Sequence, residues 1–320
     1  MPLLYVADNI NCQLPKLPLE VKRVPVNADI PVDPNAEGLV VRFIPSARLK
    51  YIASRLPNLR WVQLLTAGVD AAINADLPEK VVISKGVGIH EAPTAELAVT
   101  LLLSCVRRMH VWRDDQRKHQ WNSKAYAFQI DNAAPYDRAT LEGAKVLILG
   151  MGIIGQEIGK RLLPFGAIVE GVAQTAGMRD GFKVHANADM LKAVAQADAV
   201  IAVLPETPET RGILSRDLFN AMQKHAWLVS AGRGSALDEK ALIEALKSSR
   251  IAGAAMDVAQ QEPLPKDSPL WDVENLVITP HIGGGGPNFY KKACALIAEN
   301  AQRFVKGEPL LHVIDRKRGY

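Results

Sequence analysis

Three reactive side chains stand just beyond three short apolar runs. Trp227–Ser230 leads into Ala231-Gly232-Arg233-Gly234, Ile251–Met256 into Asp257-Val258-Ala259-Gln260-Gln261-Glu262-Pro263, and Leu276–Thr279 into Pro280-His281-Ile282-Gly283. Such runs, closed by glycine or proline, read as buried strands. Ligands of open α/β sheets sit outside the carboxyl ends of their strands, so an arginine, a glutamate and a histidine converge on one sheet edge. An imidazole can pass protons near neutral pH, and a guanidinium is a planar fork for anions. Each residue alone also fits a plainer role. His281 could be a loop residue bonded to backbone, Glu262 a solvated turn residue, Arg233 a ligand for cofactor phosphate, and Asp257 a strand-end cap.

The element that would position this edge is Val146-Leu147-Ile148-Leu149-Gly150-Met151-Gly152-Ile153-Ile154-Gly155. Four apolar residues form a strand, a G-x-G-x-x-G turn follows, and Ile154, Ile158, Leu162 and Phe165 repeat at helical spacing. Strand, turn and helix together make a dinucleotide-binding fingerprint. Gly150 permits the tight turn, Gly152 lets backbone approach a pyrophosphate, and Gly155 lets helix pack close to strand. The helix N-terminus, at Ile153 and Ile154, offers unpaired N–H groups and positive dipole to the phosphates.

At 320 residues the chain has room for about two domains, and its 48% hydrophobic and 22% charged content is that of a globular protein. The longest apolar run, Leu97 to Val106, falls short of the ~20 residues of a membrane span, and the N-terminus shows no basic leader or cleavage site, so a cytoplasmic protein is expected. Cys12, Cys105 and Cys294 are scattered and read as reduced thiols, neither staples nor metal ligands; no metal is expected. The net charge of +4 is dispersed until Arg316-Lys317-Arg318, which suits a small anionic ligand and argues against nucleic acid.

In chain order, Leu3–Ala7, Val21–Val26, Leu39–Ile44, Val62–Leu65 and Val81–Ile83 read as parallel strands, with a crossover helix over Ser46–Leu56. One long helix is expected over Thr94–Arg117, starting after Pro93, apolar nearly all round and hence buried. His119–Thr140 reads as a loop. Seven strands follow: Lys145–Leu149, Ile168–Val172, a short one at Val184, Ala199–Leu204, Trp227–Ser230, Ile251–Asp257 and Leu276–Thr279. The helices between them fall at Ala188–Gln196, Arg216–Met222 and Asp238–Ser248. Gly283-Gly284-Gly285-Gly286-Pro287 is a flexible break, after which Phe289, Ala293, Leu296, Ile297, Asn300 and Phe304 mark a last helix that returns to the first domain. His90, His110, His119, His185, His225 and His312 read as surface or packing residues, and Asp114-Asp115 as a solvated helix face.

The ordered set of motifs resembles the D-isomer-specific 2-hydroxyacid dehydrogenase family across nearly the whole chain. It comprises Thr66-Ala67-Gly68-Val69-Asp70, Thr94-Ala95-Glu96-Leu97, the glycine fingerprint, Leu204-Pro205…Thr207-Pro208-Glu209-Thr210-Arg211-Gly212, Gly232-Arg233-Gly234, Met256-Asp257-Val258…Glu262-Pro263, Thr279-Pro280-His281 and Val313-Ile314-Asp315…Gly319-Tyr320. The resemblance implies a two-domain α/β fold. A Rossmann-type doubly wound dinucleotide-binding domain, residues 99–286, would be inserted into a flavodoxin-like substrate domain of residues 1–98 and 287–320. It implies hydride transfer between a nicotinamide cofactor and a 2-oxo or D-2-hydroxy acid, with His281 as proton donor or acceptor. Glu262 would be its partner, orienting it and favouring imidazolium, and Arg233 would bind the substrate carboxylate and polarise the carbonyl. Ala67 and Gly68 would add backbone N–H groups to that carboxylate, and Asp257 would orient the nicotinamide carboxamide. The cofactor-binding set is Gly150, Gly152, Ile153, Ile154, Gly155, Gln174, Thr175, Leu204, Pro205, Thr210, Ala231, Arg233, Asp257, His281 and Gly283. Closure about Gly283–Gly286 and the segment near Pro93 would expel water, and family members are usually homodimers.

The chain departs from the family at several points. The acidic position that binds a ribose 2′-OH aligns with Ala173, and Glu170 lies three residues too early. A carboxylate there would repel a 2′-phosphate, so its absence favours NADP over NAD. The matching positive signal, an arginine just after the strand, is also absent: Gln174-Thr175 stand there, with Arg179 and Lys183 further on. Ser230 and Lys85 replace common asparagines, and Lys85 reads equally as a loop lysine or a contact for an anionic substrate. Phosphite-oxidising relatives carry Lys at the position of Ala67 and formate-oxidising ones Gln at Glu262, so both are disfavoured. Trp121, Tyr126, Phe128 and Tyr136 lie in a loop longer than usual. The second function weighed is a dinucleotide-sensing corepressor-like binding protein. It ranks lower because the Arg/Glu/His set is complete and no disordered recruiting tail is evident.

Overall fold

The structure, a computed structural model, describes residues 2–122 and 139–319; Tyr126, Phe128 and Tyr136 lie outside them. The chain divides into two units, one formed by the stretch up to His90 with that from Gly285 onward, the other by Glu91–Gly284.

The first unit holds β1 (Leu3–Ala7), β2 (Glu20–Val24), β3 (Ala36–Val41), β4 (Trp61–Leu64) and β5 (Val82–Ser84) in the order β2-β1-β3-β4-β5. Every pairing is parallel, the flavodoxin-like arrangement. Helices α1 (Ser46–Ser54) and α2 (Asp70–Asn74) belong to it. The closing helix α9 (Phe289–Lys306) joins this sheet through Phe289, Ala293, Leu296, Ile297 and Ala301. A buried polar chain fixes its depth. Trp61 Nε1 donates to Ser84 Oγ at 2.9 Å, Ser84 Oγ to Gln63 Oε1 at 2.9 Å, and Asn300 Nδ2 to that same oxygen at 2.7 Å. Asn300 Oδ1 then accepts Leu311 N–H at 2.8 Å, so both amide ends of this fully buried side chain are satisfied. The basic tail is used structurally: Arg316 donates to the carbonyls of Leu77, Pro78 and Val81.

The second unit contains α3 (Glu91–Val106), α4 (Met109–Arg117), β6 (Lys145–Leu149), α5 (Ile153–Leu162), β7 (Ile168–Ala173), β8 (Gly177–Arg179), β9 (Phe182–Ala186), α6 (Met190–Val194), β10 (Ala199–Ala202), α7 (Arg216–Ala221), β11 (Trp227–Ser230), α8 (Glu239–Lys247), β12 (Gly253–Met256) and β13 (Leu276–Ile278). Its eight strands run β13-β12-β11-β10-β6-β7-β9-β8, a doubly wound sheet whose order reverses between β10 and β6. Asp238 caps α8, accepting Ala241 N–H at 3.0 Å.

Two sequence expectations need correction. The expected Thr94–Arg117 helix is two helices. Arg108 adopts a left-handed backbone (φ 50°), and Trp112 Nε1 donates to Arg107 O at 2.7 Å, satisfying a carbonyl at the α3 terminus. Pro93 lies inside the first turn of α3, where the missing N–H costs nothing. Helix α3 packs on α5, β11 and β12, and it lies within the second unit from its first residue, Glu91. The short strand expected at Val184 is present as β9, parallel to β7, and it also pairs antiparallel with β8, a strand the sequence pattern does not mark. Finally, Cys12 and Cys294 are disulfide-bonded with Cα atoms 6.3 Å apart, against the expectation of reduced thiols, and Cys105 is free and buried. Burial pushes the Cys105 thiol up to about 12. Among the described residues no helix is long and apolar enough to cross a membrane.

Two measurements check this packing. Thiol titration of denatured, unreduced protein should count one thiol, rising to three after reduction; three without reduction would refute the pairing. Asn300→Ala leaves Leu311 N–H unpaired and should lower unfolding free energy by about 1–3 kcal/mol in urea melts.

Candidate active site

The second sheet's register builds the site. Leu149 pairs with Ala202, Ala202 with Ser230, Ser230 with Met256 and Met256 with Ile278. This row is the last rung at the carboxyl edge of five neighbouring strands. Gly150 follows it on β6, Leu204 and Pro205 on β10, Ala231 to Arg233 on β11, Asp257 on β12 and His281 on β13. Strand neighbours stand about 4.8 Å apart, so residues distant in the chain become loop neighbours.

The glycine turn fits a dinucleotide. Gly150 has φ +99°, and a Cβ on Gly155 would fall 2.3 Å from Gly150 O, so neither position takes a side chain. Over Gly152, by contrast, a Cβ would meet nothing within 4 Å. Gly152 precedes α5, whose N-terminus has no side-chain cap. An open, glycine-lined helix N-terminus with unclaimed N–H groups is what a pyrophosphate requires. Ile153 and Ile154 open α5, and Thr210 Oγ1 donates to Pro205 O at 2.7 Å, bracing the loop after β10.

Three loops then interlock. Arg233, half-buried, precedes the short turn Gly234–Ala236, and Arg233 Nη1 donates to Gly232 O at 3.0 Å. A Cβ on Gly234 would lie 1.8 Å from Ala259 O, so the arginine loop runs in contact with the loop after β12. Ala259 N–H donates to Glu262 Oε1 at 3.0 Å, and Glu262 Oε2 lies 2.6 Å from His281 Nδ1. A carboxylate only accepts, so Nδ1 carries the proton and Nε2 is left for exchange. Both side chains are about 40% exposed (41% and 38%), so the pair can be reached by a ligand.

Asp257 is 2% exposed. Its carboxylate accepts Thr279 Oγ1 at 2.7 Å, Ile282 N–H at 2.9 Å and Gly283 N–H at 2.9 Å. The strand-end cap weighed in the sequence is therefore what the carboxylate does within the protein. His281, between those donors, holds φ +53°, so the cap sets the backbone that carries the imidazole. The sequence offers the cap as one role for Asp257 but not its donors, because hydrogen bonding between strand ends has no local signature.

Other anticipated residues fall elsewhere. Ala67 and Gly68 follow β4 in the first unit, where Thr66 Oγ1 donates to Gly68 O at 2.7 Å. Lys85 follows β5 and its N–H donates to His312 O at 3.0 Å. Gln174 and Thr175 follow β7 and are exposed. Two of the remaining histidines pair with carboxylates: His185 with Glu170 at 2.5 Å and His225 with Asp198 at 2.6 Å. His90 is buried and bonds Leu65 O at 2.7 Å. No group of three or more His, Cys, Asp or Glu side chains able to hold a metal is present among the described residues.

Comparison with known proteins fits this geometry. Residues 99–283 match the family described as D-isomer specific 2-hydroxyacid dehydrogenase, NAD binding domain. The chain belongs to that family. It is 30% identical over 271 residues to glyoxylate/hydroxypyruvate reductase A of Photorhabdus laumondii, covering 82% of each chain. It is also 30% identical to glyoxylate reductase/hydroxypyruvate reductase of Mus musculus, over 86% of this chain and 83% of that one. A solved D-isomer specific 2-hydroxyacid dehydrogenase from Xanthobacter autotrophicus Py2, in complex with NADPH and MES, has a TM-score of 0.82 at 28% identity, covering 100% of this chain and 99% of that one. The protein is thus an NAD(P)-dependent oxidoreductase of 2-hydroxy and 2-oxo acids.

The cap makes a local prediction. In Asp257→Ala, amide hydrogen exchange at Ile282 and Gly283 should accelerate by about tenfold or more, with β6 and β10 unchanged. Unaltered exchange at both amides would show that the carboxylate does not hold the loop.

Proposed function

We propose that this member of the family is a reductase of small 2-oxo acids of the glyoxylate and hydroxypyruvate type, using NADPH in preference to NADH. The observation that carries the reading is the 2.6 Å His281–Glu262 contact on the strand-end row that also bears Arg233 and the glycine turn. The names of the relatives from Photorhabdus laumondii and Mus musculus support the substrate class, and a Rhizobium etli relative solved with NADP supports the cofactor. The dinucleotide-sensing alternative draws no support from these relatives.

The residues divide the chemistry. A bound reduced nicotinamide supplies the hydride that reaches the carbonyl carbon. Arg233 binds the substrate carboxylate through its planar fork and withdraws charge from the adjacent carbonyl. His281 Nε2 delivers the proton to the carbonyl oxygen and takes it back in the oxidation direction. Glu262 fixes the Nδ1–H tautomer and the orientation of the ring, much as a carboxylate orients histidine in hydrolytic triads. Asp257 retains acceptor capacity on Oδ2 for the nicotinamide carboxamide beside its bond to Gly283. We take the working form to be a cytoplasmic homodimer, which sedimentation and cell fractionation would check.

The assay is direct. Purified protein with NADPH or NADH and glyoxylate, hydroxypyruvate, pyruvate or phenylpyruvate should consume the cofactor's absorbance. His281→Ala should lose about 10²–10⁴ in kcat, the usual worth of a general acid, with cofactor binding retained. Tight cofactor binding without turnover on any 2-oxo acid would replace this reading with the sensing one.

A further inference from the structure

Past Ala173 the sequence offers neither the carboxylate that accepts a ribose 2′-OH nor an arginine directly after the strand. The fold supplies the cation by another route. After Gln174 and Thr175 the chain reverses into β8, antiparallel to β9, and Arg179, the last residue of β8, turns back on the glycine turn. Its Nη1 donates to Met151 O at 3.1 Å, and its Nη2 to Thr175 O and Oγ1, both at 3.3 Å. Met151 lies between the first two glycines of the fingerprint, and Thr175 just beyond β7. In a dinucleotide fold these two segments flank the adenosine ribose, where the 2′ substituent is read.

Charge around Arg179 leaves it for a ligand. Asp180 is engaged by Lys160 Nζ at 2.6 Å, and Glu170 by His185 at 2.5 Å and Lys183 at 3.3 Å. Among the described residues no carboxylate lies within ion-pair distance of Arg179. The three contacts leave Nε–H and one Nη1 hydrogen of the five-donor guanidinium, and the Thr175 hydroxyl, an acceptor toward Arg179, keeps its own proton to donate.

We propose that Arg179, carried back by the β8–β9 hairpin, binds the ribose 2′-phosphate and sets the preference for NADPH, with the Thr175 hydroxyl as a second donor. This rests on the reading of the glycine turn as the dinucleotide seat and names the residue that selects between its two forms.

The test is equilibrium binding, without turnover. Dissociation constants for NADPH, NADH and the fragment 2′,5′-ADP are measured by calorimetry on wild-type protein, Arg179→Ala and Arg179→Lys. Wild type should bind NADPH more tightly than NADH. Arg179→Ala should weaken NADPH and 2′,5′-ADP by about 10- to 100-fold, the worth of a charge-assisted contact, and NADH by under about threefold, which also shows that the variant is folded. Arg179→Lys should fall between, keeping charge without the fork. Equal losses for NADPH and NADH, or no wild-type preference for NADPH, would overturn the assignment while leaving the reductase reading intact. Failure to bind either dinucleotide would overturn both.

Discussion

A buried carboxylate held by hydrogen bonds, with no ion-pair partner among the described residues, governs the candidate site. Asp257 sits at the end of β12, and its charge is balanced by a hydroxyl and two backbone N–H groups. Such a charge is tolerated in an interior only when hydrogen bonds replace its water. The donors come from the segment that follows β13, the neighbouring strand, so satisfying the charge fixes the path of residues 279–283. His281 rides on that path, its nonglycine backbone held in a left-handed conformation that a looser loop would relax.

From this point order spreads sideways across the sheet. The imidazole meets Glu262, Glu262 is held by Ala259 N–H, and Ala259 lies against Gly234 in the loop bearing Arg233. The loops that carry Arg233, Glu262 and His281 are thus linked by one side-chain pair and by backbone contacts. The parallel register beneath, unbroken from Leu149 to Ile278, gives those contacts a rigid base.

Much of this was legible in the letters because it is local. The run Val146–Leu149, its glycines and the helical spacing after them fix a strand, a turn and a helix by short-range rules, and strand ends bearing Arg233, Glu262 and His281 follow from apolar runs closed by glycine or proline. The hidden parts depend on partners far away in sequence. Cys12 meets Cys294 across 282 positions, and nothing near either cysteine announces it. Strand β8 is the triplet Gly-Met-Arg, too short and polar to show a period, so Arg179 read as a distant cation. The break at Arg108 has no glycine or proline to mark it; an indole four residues on closes the helix end instead. Asp257 was weighed for two roles because a strand-end aspartate shows its partners only once the strands are side by side.

The buried Trp61–Ser84–Gln63–Asn300 chain has a consequence for biogenesis. It joins Trp61, Gln63 and Ser84 to Asn300, which follows the inserted unit in the chain, so the flavodoxin-like unit lacks a layer of its core until that later segment has been made. The inserted unit is contiguous and can close its sheet as soon as β13 leaves the ribosome. The dinucleotide-binding half can therefore complete its sheet during synthesis while the earlier-made strands still lack the closing helix that covers their apolar face.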